Sequence, residues 1–76
     1  MVTGCVLIKL KSGEDKEAFD KIKKLEAKEI YALFGEYDVL MIVEADDLKE
    51  LTDFVIDKIR SIKGVDNTRT IIAAEL

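Results

Sequence analysis

At Gly35-Glu36-Tyr37-Asp38 a carboxylate and a phenol stand close together beside a glycine. Glycine permits the positive φ that a tight turn requires and leaves backbone amides uncovered. Such amides can hold a small carboxylate while Asp38 pairs with an ammonium, and every free α-amino acid carries those two charges. The same spacing fits an ordinary hairpin whose aspartate bonds its own turn, and from spacing alone that plainer reading is favoured. A second group is Thr68-Arg69-Thr70. Residues two apart on a strand face the same way, so Thr68 and Thr70 offer two hydroxyls on one side, beside Ile72 and Ala74. Aligned hydroxyls on an apolar face can ligate a polar head group, although threonine is also simply a good strand former.

Other chemistries are poorly supplied. The chain has no histidine, so neither a Ser-His-Asp nor a Cys-His arrangement can be assembled. Cys5 is the only cysteine and lies in an apolar stretch, where it reads as a small buried hydrophobe rather than a reactive thiol. It cannot form an intrachain disulfide, and without histidine or a second thiol no zinc site of the usual type is available. The carboxylates of Asp46-Asp47 stand where a helix start favours acidic residues, so capping is their stronger reading. Four glycines without GxGxxG or Walker spacing give no phosphate loop. No cofactor is expected.

The elements that must position these groups follow from periodicity. Val2 to Leu10 is rich in β-branched residues and reads as a strand. Ser12, three residues before Asp15, has helix-start spacing. A helix then runs to about Leu25, with Phe19, Ile22 and Leu25 on one side and Glu17–Lys21 and Asp20–Lys24 as i,i+4 pairs on a solvated face. Glu29 to Phe34 is a second strand, Gly35-Glu36-Tyr37 a tight connection, and Asp38 to Ala45 a third strand. Asp46-Asp47 opens a second helix, with Asp47 and Glu50 spaced to cap it. Leu48, Leu51, Val55, Ile59 and Ile62 mark its buried face, and Lys63-Gly64 its end. Val65 to about Ala74 is the last strand. The order β-α-β-β-α-β predicts an α+β, ferredoxin-like fold: one domain over residues 1–76, with a four-stranded antiparallel sheet and both helices on one face. The first and third strands, the most apolar, take the centre.

Helices on one face leave the other to water, and strands should then alternate apolar and polar. Val39 to Val43 is apolar on both faces, as are Cys5 to Ile8 and Ile71 to Ala74, and Ile30 to Phe34 is close to it. A chain of 76 residues buries only roughly 60% of its unfolded surface, so a partner subunit is the natural supplement. Together these predict a homodimer with sheets face to face, an assembly of the dimeric α+β barrel type. The net charge of −4 lacks the footprint of a phosphate-backbone binder, so no direct nucleic-acid binding is expected. No apolar run approaches the ~20 residues of a membrane span. The N-terminus has no basic region ahead of its apolar stretch, which points to a cytosolic, cytoplasmic protein. Abundant Lys and Glu, with Gln, His, Pro and Trp absent, lean toward a thermophile source.

Gly35-Glu36-Tyr37-Asp38 ahead of the apolar run Val39–Val43, then the amphipathic helix, Gly64-Val65 and Thr68-x-Thr70, resembles the effector-binding (RAM) domain of the Lrp/AsnC family of transcription regulators. The resemblance covers nearly the whole chain. Family members usually carry an N-terminal helix-turn-helix that binds DNA, whereas this sequence begins at the first strand, so the match is to a stand-alone version of the effector domain. Such domains dimerise through their sheets, often assemble as four dimers in a ring (an octamer), and bind free amino acids between dimers. The positions that this resemblance implies as ligand-binding are Gly35, Tyr37, Asp38, Thr68 and Thr70. Phe34 departs from the small hydroxylated residue many members have before the turn glycine, and this narrows the pocket or alters the preferred ligand.

The leading expectation is an amino-acid-binding regulatory oligomer that senses free amino acids and modulates full-length Lrp/AsnC-type regulators. The alternative is a small enzyme of the dimeric α+β barrel type, which would want a histidine or a wide enclosed cavity between sheets. RNA binding on the sheet would need aromatics on the central strands and a basic surface, and the sequence offers neither.

Overall fold

The structure is a computed structural model that describes residues 1–73. Its elements are β1 (Val2–Leu10), α1 (Asp15–Ile22), β2 (Glu29–Ala32), β3 (Val39–Ala45), α2 (Leu48–Phe54, continued as a π-helical turn over Val55–Ile59) and β4 (Val65–Ala73). The sheet order is β2-β3-β1-β4 with every pair antiparallel, so the two most apolar strands are central as expected. Ala74, the expected end of the last strand, lies outside the described residues.

Register decides which side chains share a face. Val6 opposes Met41, and Ile8 opposes Val39. These four are fully buried beneath the helices with Ala18 and Ile22 of α1 and Leu51 and Ile59 of α2. The alternate residues Cys5, Leu7, Leu40 and Ile42 face the other way and are half-buried. Tyr31 and Ile71 flank them in register, opposite Leu40 and Cys5 respectively, and are exposed. The helices therefore cover one apolar face and leave a second one open, as the lack of alternation predicts.

Several local expectations are corrected. Ser12 does not cap α1: residues 12–14 form a turn and Glu14 holds the N-cap position without a side-chain bond. The helix stops at Ile22, where Lys24 and Leu25 N–H groups donate to the carbonyls three residues back, Lys21 and Ile22. That tightening still carries Leu25 onto the core. Neither Glu17–Lys21 nor Asp20–Lys24 is formed, and Asp20 pairs instead with Lys23 at 3.4 Å. Leu48, expected on the buried face, is exposed because it is the first helical residue, standing beyond the edge of the core.

The second helix begins as predicted. Asp47 adopts extended backbone and its Oδ1 accepts the Glu50 amide at 2.8 Å. Its end differs: the helix stops at Ile59, short of the expected Lys63-Gly64, and a turn over residues 60–64 leads to Gly64, which has φ +100. A Cβ there would meet the Glu14 carbonyl oxygen at 2.9 Å and the Ala18 Cβ at 3.0 Å. Glycine is thus needed twice over, for the turn and for the approach of β4 to α1.

Candidate functional site

The connection between β2 and β3 is longer than predicted. β2 ends at Ala32, two residues before the expected Phe34, and β3 begins at Val39, so residues 33–38 form the turn. One backbone bond, Leu33 N–H to the Asp38 carbonyl at 2.8 Å, closes it. Gly35 takes φ +143, open to solvent on the side where a Cβ would stand. Tyr37 and Asp38 are half-buried.

Through its side chain, among the described residues, Asp38 bonds neither its own turn nor a cation. Its amide donates to the Ile8 carbonyl at 2.9 Å. Its carboxylate Oδ2 accepts the Leu10 amide at 2.7 Å. Lys9 Nζ adds a bond to the Glu36 carbonyl at 3.2 Å. The turn is therefore tied to the end of β1 by three consecutive residues of that strand. Oδ1 of Asp38 accepts no hydrogen bond among the described residues. It remains available to an ammonium group.

Thr68 and Thr70 stand opposite Ile8 and Val6, which puts both hydroxyls on the helix-covered side of the sheet. β4 is an edge strand, and α2 does not reach fully across it. The gap is a groove of about 270 Å³. Thr52 and Arg60 from the second helix share its polar side with the two threonines, and Leu51, Val55, Ile56 and Ile72 are its apolar lining. Arg60 is placed by the π-helical turn, in which its amide donates to the Val55 carbonyl five residues back at 2.9 Å. Such turns are rare and often stand at functional positions. Among the described residues Arg60 makes no ion pair.

One chain does not bring the five residues together. Val39, Ile8 and Thr68 lie in one row across the sheet. The turn and the threonines are thus separated by the width of β1, roughly 10 Å at ordinary strand spacing. Asp38 borders a different hollow, with Leu10, Phe19 and Phe34. Sequence reasoning missed Thr52 and Arg60. Thr52, Ile56 and Arg60 recur at intervals of four, which marks a helical stripe, but nothing in the sequence reveals that this stripe faces the last strand.

Tyr31, two residues from Glu29 on the open face, has its phenol raised above the ordinary range, chiefly by a hydrogen bond to Glu29, then by that carboxylate's charge and by burial. The phenol therefore stays neutral through the physiological range. Among the described residues no three His, Cys, Asp or Glu side chains are placed to hold a metal ion. Among them, too, no helix is long and apolar enough to cross a membrane.

The family model of the Lrp/AsnC ligand binding domain matches residues 3–75. The HTH-type transcriptional regulator FL11 of Pyrococcus furiosus is 35% identical over 72 residues, covering 93% of this chain and 47% of its own. The crystal structure of FFRP-DM1 is 39% identical with a TM-score of 0.86, covering 97% of this chain and 100% of that one. Escherichia coli AsnC is 30% identical with a TM-score of 0.88, covering 99% of this chain and 52% of that one. The chain spans under half the length of the FL11 regulators it matches, and a Pyrococcus relative fits the thermophile-like composition. By the match along nearly its whole length and by its β-α-β-β-α-β fold, the chain belongs to the Lrp/AsnC ligand-binding domain family.

Proposed function

We propose that this chain is a cytosolic, amino-acid-binding regulatory oligomer that senses free amino acids and modulates full-length Lrp/AsnC-type regulators. The observation that carries this reading is the turn before β3. Its aspartate spends one carboxylate oxygen on the Leu10 amide and, among the described residues, keeps the other free, beside a glycine with open space where a Cβ would stand. A free amino acid places its ammonium on Oδ1 of Asp38 and its carboxylate on the turn amides. Gly35, Tyr37 and Asp38 form one half of the site, and Thr68 and Thr70 form the other.

Assembly supplies the missing proximity. The open face, with Cys5, Leu7, Leu40 and Ile42 at its centre, packs on the same face of a second copy as a two-fold dimer. Dimers then meet so that the turn of one faces the threonines of the next. A ligand lodged at that seam favours the assembled state in proportion to its occupancy, which couples metabolite concentration to oligomer size. Mixed assembly with a full-length family member transmits the same signal to a DNA-binding protein.

A thermal-shift screen over the free amino acids, followed by light scattering on those that act, tests the proposal. At least one amino acid raises the melting temperature or changes the assembly. A complete panel without effect on either quantity refutes sensing.

A further inference from the structure

The α2–β4 groove is polar in one sense only. Its polar side carries Thr52, Arg60, Thr68 and Thr70, and among the described residues no carboxylate lines it. The Thr52 hydroxyl donates to the Leu48 carbonyl at 2.9 Å, so its proton is spent within the helix. The hydroxyls of Thr68 and Thr70 donate to nothing among the described residues. Among the same residues the Arg60 guanidinium has neither an ion pair nor a hydrogen bond. The groove therefore offers a ligand two hydroxyl protons and the N–H fork of a permanent cation. Below them Ile56 and Ile72, each nearly half exposed, form a floor that suits a short aliphatic stem.

We infer that this groove is a carboxylate site centred on Arg60, and that the ligand is an amino acid with an acidic side chain. The inference rests on the proposed ligand site and deepens it by naming the ligand's class. In that site the turn takes up the α-ammonium and the α-carboxylate, the two charges common to every free amino acid. The group left to meet the threonine half is the side chain. A lysine or arginine side chain brings a second cation against Arg60. A leucine side chain covers the floor but strips water from the guanidinium and the two hydroxyls without replacing their partners, which costs binding energy. Glutamate satisfies both parts of the groove. Its methylenes lie on Ile56 and Ile72, and its carboxylate accepts from the guanidinium fork and the threonine hydroxyls. Arg60 is exposed and stands outside the buried core, so its replacement leaves the fold intact.

Thermal-shift titrations of the chain with glutamate, glutamine, leucine and lysine test the class. The wild type responds to glutamate at concentrations about tenfold lower than to glutamine, the discrimination of one charged hydrogen-bonded contact, since glutamine has the same shape without the charge. R60Q loses the preference, and R60K, which keeps the charge and not the fork, retains part of it. Glutamine, leucine or lysine acting as strongly as glutamate overturns the inference while sensing stands, and so does an R60Q variant that keeps the preference. Glutarate, a carboxylate on an aliphatic stem without the ammonium, reads the groove apart from the turn. Added at millimolar concentration to the isotope-labelled chain, it shifts the amide resonances of Arg60, Thr68 and Thr70 in the wild type and not in R60Q. Unmoved resonances overturn the inference whatever the amino acids do. Should no amino acid act while glutarate still shifts these signals, sensing falls and the carboxylate site stands.

Discussion

The Leu10 amide donates to Asp38 Oδ2 at 2.7 Å, and Leu10 is buried. Removing that acceptor strands a buried donor, which costs about 1–3 kcal/mol. Asp38→Ala is therefore a poor probe of ligand binding, because it damages the fold and the site together. Asp38→Asn keeps an acceptor oxygen for Leu10 and removes the charge that an ammonium needs. We predict that chemical denaturation finds the alanine variant destabilised by about 1–3 kcal/mol and the asparagine variant within about 0.5 kcal/mol of wild type. Both variants lose the amino-acid-dependent rise in melting temperature. At this scale the sequence singled out Asp38 and misjudged the hydrogen-bond partner of its side chain. Spacing offers only neighbours along the chain, and the amide that Asp38 accepts is 28 residues away.

At the scale of elements, the four strands and two helices were legible because apolar periodicity survives burial. Boundaries were less so. Asp47 capped as its spacing with Glu50 implied, since extended backbone at that position lets the carboxylate turn back on the helix. Ser12 had comparable spacing and capped nothing, because Gly13 takes φ +88 and a separate turn precedes α1. The π-helical turn was invisible in sequence, and with it the placement of Arg60. Two substitutions test this level. Asp47→Ala loses the N-cap and lowers stability by about 1 kcal/mol in urea melts. Gly64→Ala forces a side chain into positive φ and against the Glu14 carbonyl, so its loss exceeds the ~1 kcal/mol of a simple glycine substitution.

For the whole molecule the governing feature is a sheet that is apolar on both faces. Leu40 and Ile42 sit on β3 opposite Leu7 and Cys5 of β1, and together they form a continuous patch that the helices do not reach. Placing a carboxylate at its centre leaves the helix-side core untouched while burying an unpaired charge in any face-to-face dimer. Leu40→Glu is accordingly predicted to sediment as a folded monomer at micromolar concentration, with its helical circular dichroism retained. A wild-type chain that is itself monomeric under those conditions removes the basis for assembly at every level. This patch was readable from sequence alone, since a strand without alternation announces two apolar faces. The separation of the proposed ligand-binding residues into two halves was not, because it depends on which strand becomes the edge.

Cys5 lies on that patch, between Ile42 and Ile71 in register. As the only thiol in the chain it is a built-in clock. Under a face-to-face lid, an alkylating reagent reaches its sulfur only during moments of separation. Labelling half-times then lengthen with protein concentration and collapse in Leu40→Glu, so the lifetime of the pairing can be timed without attaching a dye.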